Sequence, residues 1–334
     1  MIIAVDAMGG DHAPKAQVQG ALLRLKENKD LRIQLYGDRA KILSVLDGEM
    51  IDDDRLQIIH CTEVVTGEDE PVRAVRKKKD SSMVRAAEAV RKGKADACVS
   101  AGNTGALMAA GLFVTGRIKG IHRPALAPVM PTMDGKGFLM LDVGANADSK
   151  PEHLLQFAIM GSIYAEKVRG IERPTVGLLN IGTEEGKGNE LTKEAYALLN
   201  DAPIHFIGNV ESRDLLDGVA DVVVTDGYTG NMVLKTLEGT ALHILSMLKD
   251  VFMSSTKTKI GALLVKNDLK KAASGLDYKE HGGAGLFGLR GPVIKAHGSS
   301  DEQAMFNAIR QAETMVKEDV VSMIEATIRK EDTE

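Results

Sequence analysis

Short apolar, β-branched runs alternate with stretches of helical spacing along this chain. The runs are Ile2 to Val5, Leu31 to Tyr36, Ala97 to Val99, Phe138 to Leu141, Val176 to Leu179 and Val222 to Val224. Such runs alternating with helical segments predict an α/β fold with a mostly parallel sheet between helical layers, a three-layer α/β/α arrangement. One helix start is well marked: Ser149 with Glu152 fits a capping box, Pro151 falls in the first turn, and apolar residues run from Leu154 to Ile163. From Asp301 to Arg329, residues Met305, Ile309, Ala312, Val316, Val320 and Ile324 recur at helical spacing, which predicts an outer helix closing the fold.

With 334 residues the chain exceeds a single typical core, yet no Pro/Gly/Ser-rich linker divides it. The expectation is one catalytic unit of two interleaved lobes around a cleft, residues 1–130 with 285–334 and residues 131–284, with 237–273 as a helical protrusion. At 44% hydrophobic and 27% charged residues the composition is that of an ordinary globular protein, and a net charge of -5 argues against broad nucleic-acid binding. Cys61 and Cys98 lie in apolar, strand-like stretches and read as buried reduced thiols of a cytosolic protein. Met1 to Asp6 reads as a strand and not as a secretory signal. No segment reaches the ~20 apolar residues that span a bilayer, so contact with a membrane is expected at its surface only.

One device recurs five times: an apolar strand runs into a turn of Gly with Asp, Asn, Ser or Thr, usually followed by a helix. The turns are 6–12 with Asp6, Gly9, Gly10 and His12; 100–105 with Ser100, Gly102, Asn103, Thr104 and Gly105; 142–146 with Asp142 and Asn146; 180–188 with Asn180, Gly182 and Lys187; and 226–231 with Asp226, Gly227, Thr229, Gly230 and Asn231. Turns leaving the carboxyl ends of parallel strands gather at one edge, where such folds bind ligands. Glycine lets backbone N–H groups approach an anion, and a following helix N-terminus adds partial positive charge. All five are expected to line one phosphate-binding cleft; the plain alternative for any single turn is tight chain reversal.

Neither nucleotide fingerprint fits. Gly182 to Gly188 is no Walker loop, and Gly283-x-Gly285-x-x-Gly288 matches the dinucleotide pattern by letter but follows Glu280-His281 and leads into strand-like Val293-Ile294. No His/Cys/carboxylate cluster has metal-ligand spacing, so neither a metal nor a cofactor is expected.

Taken in order, Asp6-Ala-Met-Gly-Gly-Asp11, Ser100-Ala-Gly-Asn-Thr-Gly-Ala-Leu107, Leu141-Asp-Val-Gly-Ala-Asn146, Leu179-Asn-Ile-Gly182, Asp226-Gly-Tyr-Thr-Gly-Asn231 with Lys235, and His297-Gly-Ser-Ser300 resemble the bacterial phosphate acyltransferases of the PlsX family across nearly the whole chain. Thr183, where an acidic residue is usual, and Gly285, where proline is commoner, depart from the pattern. The resemblance implies a fold akin to phosphate acetyltransferases and isocitrate dehydrogenases, a homodimer, and the reaction of acyl-[acyl carrier protein] with inorganic phosphate to give acyl phosphate. The product would serve a glycerol-3-phosphate acyltransferase on the way to phosphatidic acid.

Phosphate is already a nucleophile at neutral pH, so such an enzyme must mainly position and polarise. Gly102, Asn103, Thr104, Thr229, Gly230 and Asn231 are expected to hold phosphate and the thioester oxygen, while Lys187 and Lys235 offset negative charge. Asp6, His12, Asp142, Asp226 or His297 takes a proton or orients the group that does, and the sequence does not rank these five.

Two surface features add to this. Arg73, Arg76, Lys77, Lys78 and Lys79 form a basic stretch suited to steering an acidic carrier protein, or simply a solvated face. Leu237 to Phe252 presents a wide apolar helical face suited to packing at a dimer interface. Beyond it, Leu263, Leu264 and Val265 sit among Lys257, Lys259, Lys266, Lys270 and Lys271, as in a segment resting on an anionic membrane surface. The competing readings are an acyl-coenzyme A-dependent phosphate acyltransferase and a non-catalytic peripheral membrane scaffold.

Overall fold

The computed structural model describes residues 1–46, 54–274 and 282–331, with side chains for all of these except 266–274, 330 and 331. Two sheets form its core. The first has seven strands in the order β3 (Leu56–His60), β2 (Arg32–Gly37), β1 (Ile2–Asp6), β4 (Ala97–Ser100), β12 (Val293–Lys295), β11 (Ala284–Phe287) and β5 (Ala125–Ala127). Only β11 runs against its neighbours. The second has the order β6 (Val129–Met130), β7 (Phe138–Leu141), β10 (Val222–Val224), β8 (Thr175–Asn180) and β9 (His205–Glu211), parallel except for β6 at its edge. Pro128 alone separates β5 from β6, so the sheets meet there.

The central strands of the first sheet are buried on both faces. Ile3 and Val5 join a core beneath α1 (Lys15–Glu27) and α10 (Glu302–Lys317), while Ala4 and Cys98 face a core under α3 (Pro71–Lys77), α4 (Ser82–Arg91) and α5 (Thr104–Ala110). This double burial explains why β1 and β4 read as unbroken apolar runs. In the second sheet, α6 (Pro151–Lys167) covers one face, flanked by α7 (Glu190–Asp201) and α11 (Val320–Glu331). On the opposite face the first turns of α8 (Gly227–Met253) contribute Val233, Leu234 and Leu237 to a smaller core.

Past Leu237, α8 leaves that core. Leu242, Ile244, Leu245, Met247, Val251 and Met253 are all exposed, and α9 (Thr256–Ser274) folds back along α8. Among the described residues no helix is long and apolar enough to cross a membrane.

Local expectations were revised in two places, at the start of α6 and in the closing helix, and kept at Gly285. Helix α6 starts at Pro151, where the backbone N–H of Lys150 donates to His153 Nδ1 (3.1 Å); Ser149 Oγ is buried and caps nothing. The closing helix is two helices, broken where Asp319 takes a left-handed φ of 48° after α10. Gly285 and its neighbours form strand β11, and β12 follows, so the run is no strand-to-helix phosphate turn.

Candidate active site

A cleft of roughly 660 Å³ opens where the two sheets meet, at the carboxyl ends of β1, β4 and β12. Register pairs Ser100 of β4 with Asp6 on one side and Lys295 on the other, placing the three side chains on one face of the sheet. All are buried, with 1% of Asp6, 0% of Ser100 and 9% of Lys295 exposed. Ser100 Oγ donates to Asp6 Oδ2 (2.7 Å) and accepts from the Gly102 amide (3.0 Å), and the Met8 amide donates to Asp6 Oδ1 (3.2 Å). Burial pushes the Asp6 carboxyl up, against hydrogen bonds from Ser100, Ser82 and the Met8 and Gly9 amides that favour the carboxylate. Burial also pushes the Lys295 ammonium down to about 8, partly offset by Asp6 and Asp11 and reinforced by Lys235.

Lys295 was not among the residues singled out from the sequence. Its one signal there is a lysine ending the apolar pair Val293-Ile294, and its neighbours Asp6 and Ser100 are remote along the chain.

The first two glycine turns interlock. A Cβ on Gly9 would lie 2.5 Å from Asp6 Oδ2 and 2.7 Å from the Gly102 nitrogen, and Gly10 has a φ of +102°. Gly10, Gly102, Asn103 and Thr104 line the cleft. The Asn103 side chain is committed to structure: Oδ1 caps α5 through the Ala106 amide (3.1 Å), and Nδ2 reaches the carbonyls of Thr66, Gly67 and Asp69 at 3.3 Å each. Asn103 therefore holds the 64–67 loop, which forms another wall, leaving backbone groups and Thr104 to meet a ligand. Gly105 lets Pro71 pack closely: a Cβ there would meet Pro71 Cγ at 2.8 Å.

From the turn after β7 come Val143 and Gly144, and from α8 Asn231, Leu234 and Lys235, all lining the cleft. Asp142 does not; its carboxylate accepts from the amides of Leu126 (2.8 Å), Ala145 (3.1 Å) and Asn146 (2.7 Å) and from Asn146 Nδ2 (2.9 Å). Asn146 also donates to the Pro124 carbonyl, so this buried pair holds the turn after β7 against β5. Helix α8 presses onto the same turn, because a Cβ on Gly227 would lie 2.2 Å from the Asn146 carbonyl and one on Gly230 2.0 Å from that of Asp142. Asp226 caps α8, accepting from the Thr229 amide (2.9 Å) and hydroxyl (2.7 Å). Together these contacts aim Asn231 over Gly144. Lys235 Nζ pairs with Glu238 (2.7 Å) at the cleft mouth.

Of the five titratable residues left unranked by the sequence, His297 alone lines the cleft. The Ser299 amide donates to its Nδ1 (3.3 Å) and Ser299 Oγ sits 2.9 Å from the same atom, a pattern that places the ring proton on Nε2. His12 is exposed outside the cleft, and Asp6 lies just beneath its floor.

The turn at 180–188 does not line the cleft. Asn180 Nδ2 donates to the Lys187 carbonyl (3.1 Å) and to Asn209 (3.1 Å), Gly182 packs beside the Lys187 side chain, and Lys187 Nζ lies 3.9 Å from Glu184. The reason is strand order: β8 lies beyond β10 from β7, one strand further from the junction of the sheets.

The basic stretch divides in use. Lys78 Nζ bonds Asp69 (2.6 Å) and the Val64 carbonyl (2.9 Å), bracing the cleft wall, and it holds the Asp69 carboxyl down at about 2. Arg73, Lys77 and Lys79 are exposed, and Arg76 stacks 5.7 Å from the exposed Phe113 ring. On α9, Leu263 is 74% and Leu264 79% exposed, with Val265 beside them. The Lys266 side chain lies outside the described residues.

Known proteins resemble this chain over nearly its whole length. Residues 1–323 match the family described as fatty acid synthesis protein. The chain is 63% identical over 329 residues to the phosphate acyltransferase of Lysinibacillus sphaericus, covering 98% of each chain. It is 61% identical over 331 residues to that of Bacillus cereus, covering 99% of each. In fold it is similar to a phosphotransacetylase from Streptococcus pyogenes (TM-score 0.64, 17% identity, 95% of this chain and 94% of that one). It is also similar to a branched-chain phosphotransacylase from Enterococcus faecalis (TM-score 0.56, 16% identity, 95% of this chain and 99% of that one). The chain is thus an acyltransferase and belongs to the PlsX family of phosphate acyltransferases.

Proposed function

We propose that this enzyme transfers a fatty acyl group from the thioester of an acyl carrier protein to inorganic phosphate, releasing acyl phosphate and free carrier. The observation that carries this reading is the mixed lining of the cleft. It combines Gly10, Gly102, Thr104, Asn231, Lys295 and His297 with the apolar Leu126, Val129, Met130, Val143 and Leu234. The apolar residues suit an acyl chain, and the polar ones suit phosphate and a thioester carbonyl. A phosphate oxygen attacks the carbonyl carbon, the resulting oxyanion collapses, and the C–S bond breaks as the acyl–O bond is kept. In this reading the proton that hydrogen phosphate gives up as the acyl–O bond forms ends on the departing thiolate, with His297 as the cleft group placed to relay it, while Asp6 and Asp142 position the loops around the reacting atoms.

Exposed Arg73, Arg76, Lys77 and Lys79 suit an acidic carrier protein. In the same reading the enzyme is a cytoplasmic homodimer whose α8 faces pack together. Leu263 to Val265 rest on the membrane, where a glycerol-3-phosphate acyltransferase consumes the product toward phosphatidic acid. Palmitoyl carrier protein and palmitoyl-coenzyme A, compared as donors at equal concentration, test the proposal. The carrier form is expected to give the higher kcat/KM; equal or better use of the coenzyme A form would move the assignment to that thiol.

A further inference from the structure

We propose that Lys295 is the side chain that binds inorganic phosphate in the cleft and neutralises it during acyl transfer. This deepens the function proposed above and rests on it. Among the described residues the cleft is lined by two lysines and no arginine. Lys235 is the lesser candidate, since its side chain is 59% exposed and its ammonium is paired with Glu238. Lys295 is different on each count. It projects from the end of β12 in register with Ser100, is 9% exposed, and donates to the carbonyl of Ala296. Among the described residues it forms no ion pair, although Asp6 and Asp11 act on its charge from further away.

An ammonium buried without a carboxylate partner carries a desolvation cost. A phosphate dianion in the cleft offsets that cost, because the N–H donors not spent on the Ala296 carbonyl then meet anionic oxygens across a short, poorly solvated distance. The site around it fits this role. Gly10 and Gly102 bring backbone close without side chains in the way, and Gly298 continues the cleft directly after β12. A phosphate held here leaves the apolar lining residues of β5, β6 and α8, Leu126, Val129, Met130 and Leu234, for the acyl chain.

The charge of Lys295 also gives the inference a pH signature. Burial favours the neutral amine, so the positive charge is complete in mildly acidic solution and is lost as pH rises through about 8. The groups acting on it are Asp6 of β1, Asp11 of the following turn and Lys235 of α8, with His297 two residues on; α10 and β11, which also pack on β12, add no charge to it. All of these are shared by wild type and an arginine variant, as is the ionisation of phosphate itself, so the difference between their profiles reports Lys295.

The test measures equilibrium binding of inorganic phosphate to the full chain by calorimetry, with steady-state KM values for phosphate and acyl donor alongside. Lys295→Met is expected to weaken phosphate binding about 10- to 100-fold while changing the donor KM less than about threefold. Lys295→Arg should retain binding and remove the wild type's weakening above pH 8. Unchanged phosphate affinity in Lys295→Met overturns the inference, as does a parallel loss for phosphate and donor. Should Lys295→Met fail to fold, the wild-type and arginine pH profiles decide, and identical profiles overturn it. Normal acyl phosphate formation by Lys295→Met removes Lys295 and leaves the function standing; Lys295-dependent phosphate binding without any acyl phosphate formation does the reverse.

Discussion

The hydroxyl of Ser100 donates to Asp6 Oδ2 at 2.7 Å across the paired ends of β4 and β1, beneath the floor of the cleft. Ser100→Ala removes that donor and also the acceptor of the Gly102 amide, at an expected cost of about 1–3 kcal/mol in urea unfolding. The cost should depend on pH with a definite sign. Asp6 is pushed up in the fold, so its burial disfavours the native state more as pH rises from the ordinary carboxylate range through its folded value. Loss of Ser100 enlarges the penalty of the charged form, and the variant's deficit should shrink as pH falls.

The approach of α8 to the 142–146 turn makes a contrast among glycines. Gly230→Ala puts a methyl group 2.0 Å from the Asp142 carbonyl oxygen, whereas nothing lies within 4 Å of a Cβ on Gly239 in the same helix. Gly230→Ala is expected to lose about 1–3 kcal/mol or more and to reduce turnover by displacing Asn231. Gly239→Ala should be neutral or stabilising by up to ~1 kcal/mol. Thermal unfolding and kcat of the two variants check the pair.

For the basic stretch, Arg73→Glu with Lys77→Glu and Lys79→Glu should raise the KM for carrier-bound substrate on the order of tenfold at low salt and flatten its salt dependence. Lys78→Ala acts elsewhere. It frees Asp69 and the Val64 carbonyl, and should speed amide hydrogen exchange in 64–69. Salt-dependent kinetics and hydrogen exchange separate the two roles.

The tip of the α8–α9 hairpin carries the membrane proposal. Leu263→Glu with Leu264→Glu is expected to reduce co-sedimentation with anionic vesicles at least about tenfold, with kcat on dispersed substrate within about twofold of wild type. Unchanged sedimentation would leave this apolar surface to another copy of the chain.

What could be read from the sequence follows from burial. Strands β1, β4, β7, β8 and β10 were legible because they present nearly continuous apolar runs, and β2 through Leu31, Ile33, Leu35 and Tyr36 despite Arg32 and Gln34 between them. Strands β3 and β9 lie at sheet edges and mix polar with apolar residues, β5 and β6 are interrupted by Pro128, and β11 opens on Ala284-Gly285 within a glycine-rich run that reads as a turn. Four of the glycine turns do gather around the sheet junction, as a parallel sheet requires. The letters of 180–188 resemble the others, but strand order, which periodicity does not encode, sets them apart. Asn103, Asp142 and Asp226 were legible as polar turn residues; that their side chains hold loops and caps depends on partners such as Thr66 and Leu126, set only by the fold. Lys295 was hidden for the same reason.

The most direct test of the account is incubation of the purified chain with palmitoyl carrier protein and labelled inorganic phosphate, following both products at once. Free carrier and labelled palmitoyl phosphate should appear in equal amounts, at a rate that saturates with phosphate. Release of free carrier with palmitate and no labelled acyl phosphate, or no consumption of the donor at all, would contradict it.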